Sequence, residues 1–240
     1  MRVVAINSSP HKNKGNTALI LNPFLDGIRD EGAQVELIFS RDLNINPCQG
    51  DFACMVKTPG HCIQKDDMNW LDHKISQADM VVLASPVYCD GVNGSMKNIM
   101  DRTLPQILPF FEIENNHLRH PLREGVKPGK LVLVSNCGFW EIDNFQPLLT
   151  HMEAYCKNSH DEFAGALLRP HGPALMNMLE HGMPVDDVLE AAREAGRQIV
   201  RNGEISEETL QIVSRELLPR EMYMQILNQY FTQEIEKWKK

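Results

Sequence analysis

No stretch of this 240-residue sequence approaches the ~20 consecutive apolar residues that cross a bilayer as a helix, which excludes a spanning segment. The opening Met1-Arg2-Val3-Val4-Ala5-Ile6-Asn7 carries one charge and an apolar run that ends at Ser8-Ser9-Pro10, short of a signal peptide's apolar region and cleavage site. Positive charge is also scarce. Against 32 Asp+Glu there are 24 Lys+Arg, and a net −8 excludes a general binder of nucleic-acid backbones. These absences predict a cytoplasmic protein with neither a nucleic-acid nor a membrane partner. In that compartment the six cysteines, Cys48, Cys54, Cys62, Cys89, Cys137 and Cys156, are expected as thiols, buried fillers or metal ligands rather than a disulfide framework. Internal repeats and low-complexity segments are missing, as is the Gly-x-Ser-x-Gly elbow of a serine hydrolase.

What is present is a chain with 42% hydrophobic residues. At this length folding buries roughly 70–75% of the unfolded surface, enough for one domain. Short continuous apolar runs alternate with segments of helical spacing, as expected of strands buried on both faces of a parallel sheet. The strands are Val3 to Ile6, Val35 to Phe39, Met80 to Ala84, Leu131 to Val134 and Phe163 to Leu168. Between them the spacing predicts helices over Thr17 to Arg29, Met68 to Gln77, Gly94 to Thr103 and Phe145 to Lys157. A β-α-β-α-β-α-β-α-β order predicts a doubly wound sheet with right-handed crossovers. From Pro184 the chain turns helical, with Val185, Val188, Leu189, Ala192, Ile199 and Val200 in one stripe, then helices from Ser206 and over Met222 to Trp238. Ser40 to Lys65 and Pro105 to Gly129 fit no regular element and are expected as functional loops.

Ligands of such sheets bind beyond the carboxyl ends of the strands, where strand order reverses. Three loops qualify. Ser8 to Thr17 supplies hydroxyls, the cationic candidates His11, Lys12 and Lys14, a close-approach Gly15 and free amides at a helix N-terminus, the parts of an anion site. It carries neither Gly-x-x-x-x-Gly-Lys-Ser/Thr nor Gly-x-Gly-x-x-Gly, against a nucleoside-triphosphate or ordinary dinucleotide site. Ser85 to Gly94 offers glycines and an apolar, aromatic wall, and Asn136-Cys137-Gly138-Phe139-Trp140 adds a third side. A phosphate cradle beside a flat, semi-polar slot describes a mononucleotide, and FMN has that shape.

The joint pattern Ser9-Pro10-His11-(x)4-Asn16-Thr17, Ser85-Pro86-Val87-Tyr88, Lys97 and Asp101-Arg102 resembles the NADPH-dependent FMN reductase family over roughly residues 1–170. The resemblance implies an α/β flavodoxin-like fold: a doubly wound, five-stranded parallel sheet of order 2-1-3-4-5, in an FMN-binding domain over 1–172. Residues 173–240 would be a helical C-terminal extension on the same domain or on a partner subunit. It further implies an oxidoreductase passing hydride from NADPH or NADH to FMN N5 and on to a small-molecule acceptor, working as a homodimer or homotetramer. Ser9, His11, Lys12, Gly15, Asn16 and Thr17 would hold the phosphate; Pro86, Val87, Tyr88 and Gly91 the ring; Asn136 and Gly138 would complete the site. No side chain is assigned a catalytic role, because the cofactor carries the chemistry. His11 stands where relatives often have Arg and offers no bidentate fork. An alternative is a flavodoxin-like or iron–sulfur flavoprotein electron carrier serving protein redox partners; a third is a degenerate member acting as an interaction module.

Iron–sulfur flavoproteins, which the chain also resembles, carry Cys-x2-Cys-x2-Cys-x4–7-Cys between strand two and helix two. Here that place holds Cys48, Asp51, Cys54 and Cys62. Clusters are normally held by four thiolates, so the expectation is no metal, a loop keeping the relatives' shape, and at most a redox-sensitive thiol; a cluster or a zinc site using His61 is the lesser alternative. His117 and His120 are expected in a solvated or lid segment, with Phe110, Phe111 and Trp140 in a lid or subunit contact. Cys89 and Cys137 are expected beside the flavin.

Overall fold

The computed structural model describes residues 1–239. In chain order the elements are β1 (Arg2–Asn7), α1 (Asn16–Asp30), β2 (Gln34–Phe39), α2 (Ala53–Val56), α3 (Met68–Ser76), β3 (Met80–Tyr88), β4 (Gly91–Val92) and α4 (Gly94–Asp101). They continue with β5 (Glu112–Glu114), β6 (His117–Arg119), β7 (Lys130–Asn136), α5 (Gln146–Ser159), β8 (Glu162–Arg169), α6 (Gly172–Glu180), α7 (Asp186–Arg201), α8 (Glu207–Ser214) and α9 (Arg220–Trp238). The parallel strands lie in the order β2-β1-β3-β7-β8, the expected 2-1-3-4-5 arrangement.

Alternation along the strands sorts side chains to two covered faces. Val3, Ala5, Met80, Val82, Val132 and Val134 point to a layer of α1, α6, α7 and α8; Val4, Ile6, Leu83, Leu131 and Leu133 point to α3, α4 and α5. Two glycines bring α1 and α7 together. A Cβ at Gly27 would stand 1.8 Å from the Arg193 carbonyl oxygen, and one at Gly196 2.0 Å from that of Phe24, so the backbones approach in a way a larger residue forbids. Arg193 and Arg197 then clasp Asp30 at the helix end. The division expected at residue 172 therefore coincides with no break in packing, since the apolar cluster runs from Val3 to Val213.

Three local expectations change. β3 runs on through Ser85-Pro86-Val87-Tyr88, expected as loop, into a hairpin in which Val87 pairs with Val92. Its turn residues Cys89 and Asp90 have φ of 47° and 63°, the backbone of a type I′ turn. Pro105 to Gly129 contains a second hairpin, β5-β6, turning at Asn115-Asn116, both with positive φ. It contacts His160 just beyond the carboxyl end of α5, through Glu114 and through the His120 carbonyl. That is the opposite end of the sheet from the strand carboxyl ends, so the segment is no lid over the ring-side loops of its own chain. Finally, α6 begins at Gly172, twelve residues before the sequence pattern turned helical at Pro184.

Candidate functional site

The carboxyl ends of β1, β3 and β7 lie at the same edge of the sheet: Asn7, the last residue of β1, pairs with Ala84, and Asn136, the last of β7, with Pro86. The loops that follow share one end of the molecule, stitched together by short polar side chains. Ser8 sends both its amide (2.8 Å) and its hydroxyl (3.1 Å) to the Ala84 carbonyl. Asn93 Nδ2 donates to the Ser8 carbonyl (2.6 Å), while its Oδ1 accepts the Met96 amide and caps α4. Ser135 Oγ donates to the Ser85 carbonyl, and Ser85 Oγ accepts the Asn93 amide. All these residues are buried.

Within the first loop, Gly15 is required by packing: a Cβ there would meet Ser9 Oγ at 2.5 Å. The loop delivers the chain to α1, whose first turn has no side-chain cap, leaving its leading amides at the positive end of a 15-residue helix. Thr17 Oγ1 donates to Asn136 Oδ1 at 2.5 Å across 119 residues of sequence. Two residues expected from separate loops are thus in contact. Ser9 is buried, Asn16 half-buried and His11 exposed. Lys12 adopts a left-handed backbone and turns its ammonium to Asp42, away from the role expected of it, while Lys14 is exposed.

On the ring side, Pro86, Val87 and Gly91 are half-buried and Tyr88 is exposed. Gly91 and Gly138 face open space. Cys89 is exposed on the hairpin turn, whereas Cys137 is buried against the Phe139 carbonyl and burial pushes its thiol up, making it a packing residue. The Gly138 carbonyl accepts the Tyr223 hydroxyl (2.7 Å), and Trp140 Nε1 donates to the Leu218 carbonyl (2.9 Å). These bonds seat α9 on the third loop and leave a groove of about 470 Å³ between Phe139-Trp140 and Met224-Leu227.

A fourth element, absent from the sequence reading, closes the site. Gly172 lies so near that a Cβ would stand 2.9 Å from Asn136 Nδ2 and 3.4 Å from the Asn16 Cβ. It is placed by His171, fully buried with φ of 40°, whose Nε2 accepts from Arg169 and from the Leu217 amide. Burial and then the Arg169 charge hold the imidazole down at about 4. Arg169, buried and with no carboxylate partner among the described residues, donates to the carbonyls of Pro170, Val213, Ser214 and Arg215. It thereby fastens the end of α8 to the end of β8. The sequence signal was Gly172-Pro173, a proline at the first turn of a helix.

The residues of the first loop fit an FMN phosphate: hydroxyls and uncapped helix amides lie there, with His11 and Lys14 exposed on the same loop. Asn7 Nδ2, fully buried at the end of β1 beneath that loop, has no hydrogen-bond partner. An iron–sulfur cluster is not fitted in the same way. Cys48 is exposed, Cys54 buried and Cys62 half-buried, and Asp51 Oδ1 is occupied by the Ala53 amide. Among the described residues, no three His, Cys, Asp or Glu side chains come together as a metal site. Nor is any described helix long and apolar enough to cross a membrane.

Comparison with known proteins bears on the family and the fold. An iron–sulfur flavoprotein of Methanocaldococcus jannaschii is 38% identical over 110 residues, 46% of this chain and 55% of the relative. One of Archaeoglobus fulgidus is 32% identical over 129 residues, 54% of this chain and 62% of the relative. The chain thus spans a little over half the length of these relatives. An azoreductase structure from Bacillus anthracis superposes with a TM-score of 0.61 at 10% identity, covering 82% of this chain and 99% of that one, a likeness of fold. The family model for NADPH-dependent FMN reductase matches residues 1–121, half of the 240 residues and the stretch that holds the first two loops, and the chain belongs to that family.

Proposed function

We propose that the chain is an FMN-dependent oxidoreductase that draws reducing equivalents from NADPH or NADH and delivers them to a small-molecule acceptor. The observation that carries this reading is the Thr17–Asn136 bond, which ties the phosphate loop to the third loop at the carboxyl ends of the central strands. Ser9, Asn16, Thr17 and the leading amides of α1 would hold the phosphate, with His11 and Lys14 supplying charge. Pro86, Val87 and the backbone around Gly91 and Gly138 would wall the ring. FMN, when bound, supplies a two-electron acceptor at N5, so the protein's contribution is binding, orientation and polarity. The fixed hairpin at Cys89-Asp90 sets the height of that wall, and the exposed Tyr88 and Phe139 flank the open face where nicotinamide and acceptor would enter in turn.

A homodimer or homotetramer belongs to this reading. It is supported by the apolar side chains that α9 leaves exposed, among them Met222, Met224, Tyr230, Phe231 and Ile235. A sedimentation measurement giving a monomer with full activity would remove that part. A second reading, an electron carrier serving protein partners, is favoured by the names of the relatives at 32–38% identity. Anaerobic mixing of the FMN-loaded protein with NADPH or NADH separates the two: prompt loss of flavin colour supports the reductase, and reduction only by a ferredoxin-type donor supports the carrier.

A further inference from the structure

Away from the proposed flavin loops, the flank of α3 and α4 holds a small polar cavity of about 80 Å³, lined by Gly60, His61, Cys62, Met68, Asn69, Asp72, Arg102 and Pro105. Arg102 caps the carboxyl end of α4, whereas Asn93, at the other end, belongs to the flavin loops. An eight-residue helix separates them, a rise of about 12 Å, so the cavity is a separate site.

The chemistry converges on Cys62. Arg102 is 1% exposed. Its Nη1 and Nη2 form a bidentate pair with Asp66 (2.8 and 2.9 Å), and Nη1 also donates to the Asn46 carbonyl. Those bonds satisfy its structural role but leave Nε, among the described residues, without an oxygen or nitrogen partner. Cys62 is the half-buried thiol that shares the cavity with this unpartnered donor. A second thiol is at hand. The Gly60 amide donates to the Cys54 carbonyl (3.0 Å), folding the chain back on α2 two residues before Cys62. Cys54 itself is buried in α2.

We infer that Cys62 is a peroxide-reactive thiol in the cavity that Arg102 also lines, with Cys54 as its resolving partner. The small size of the cavity, about 80 Å³, suits hydrogen peroxide or a small alkyl hydroperoxide. The Cys62 thiolate attacks one peroxide oxygen; the S–O bond forms, the O–O bond breaks, and hydroxide or alkoxide leaves with the electron pair and takes a proton from water. Arg102 Nε–H donates to the charged sulfur. Cys54 then displaces the hydroxyl of the sulfenic acid: the S–S bond forms, the S–O bond breaks and water leaves. An external dithiol restores both thiols and becomes a disulfide itself. Nothing in this sequence depends on FMN, so its success or failure is distinguishable from that of the proposed oxidoreductase.

The test uses the full-length protein treated with one equivalent of hydrogen peroxide and read by mass spectrometry with and without dimedone. The wild type should lose two thiols and yield a Cys54–Cys62 disulfide peptide. Cys54→Ser should carry one dimedone adduct on Cys62, and Cys62→Ser should lose thiols at least tenfold more slowly. Arg102→Lys, which keeps a cation for Asp66 but removes Nε, should slow adduct formation about tenfold while circular dichroism stays native, and Cys48→Ser should match the wild type. Adduct spread equally over the exposed Cys48 and Cys89, a Cys48–Cys54 disulfide, an unchanged rate in Arg102→Lys, or stoichiometric iron and sulfide in anaerobically purified protein would each overturn the inference.

Discussion

The proposed phosphate loop and the cysteine loop follow neighbouring strands, β1 and β2, and both are segments in which the sequence resembles a family motif. They differ in what the spacing now holds. In the first, Gly15 packs on Ser9, and Thr17 reaches Asn136, so the positions expected to act together do meet. In the second, the side chains at those positions have other partners: Asp51 accepts the Ala53 amide, Cys54 is buried, and Cys62 lines the cavity beside Arg102. Spacing in sequence reports a backbone path; side-chain chemistry at the end of that path depends on partners elsewhere. The path of the cysteine loop is fixed by the buried Asp66–Arg102 pair and by Asp67 accepting the Asn44 amide, and neither requires a metal.

The largest expected effect breaks that fixed path. Asp66→Ala leaves the buried Arg102 without its carboxylate and should cost about 3–5 kcal/mol in urea unfolding, while FMN affinity of the folded fraction stays the same. Both outcomes matter, because a parallel loss of FMN affinity would mean that the two loops are coupled. Asp66 also sets an acid limit. Burial opposes its charge, but Arg102 and the amides of Asn46 and Met68 hold its carboxyl below the ordinary range. The stability it confers is present at neutral pH and is lost as pH falls through that depressed value.

Asp72, in the same cavity, should act with the opposite sign. Burial pushes its carboxyl up to about 6, so ionisation opposes folding: stability is greatest at low pH and falls as pH rises through 6. Asp72→Asn keeps an acceptor for Gln106 Nε2 and should raise stability at pH 7 by about 2 kcal/mol, with no gain at pH 4. Equal unfolding midpoints for mutant and wild type at both pH values would contradict this. On the other loop, Thr17→Val should weaken FMN binding about tenfold, some 1.4 kcal/mol, by fluorescence titration, with little change in the peroxide reaction of Cys62. The smallest effect is a gain. His11→Arg should tighten FMN a few-fold, because a guanidinium offers a phosphate the fork that imidazole lacks.

Much of the fold was legible because buried parallel strands read as apolar runs, and the strand order followed the expected one. The three loops were named from their place after apolar runs, and the first also from its hydroxyls, glycine and helix amides. The hairpins, which turn at Cys89-Asp90 and Asn115-Asn116, were missed, since a strand was expected to stop where its apolar run stopped. What could not be read were contacts between distant residues. Gly27 with Gly196 binds α7 into the core, and Gly172 brings the start of α6 against Asn136. Arg169, which nothing in the sequence pattern singles out, is buried and clasps the end of α8. Lys12 was legible as a cation at the right place but not as the partner of Asp42.

The difference between the loops is tested most directly by the visible spectrum of anaerobically purified protein supplied with FMN, recorded before and after one equivalent of NADPH. A protein with a working phosphate loop and a metal-free cysteine loop should show flavin absorbance alone, bleaching to a featureless baseline on reduction. A broad iron–sulfur absorption beneath the flavin bands, or no retained flavin at all, would contradict it.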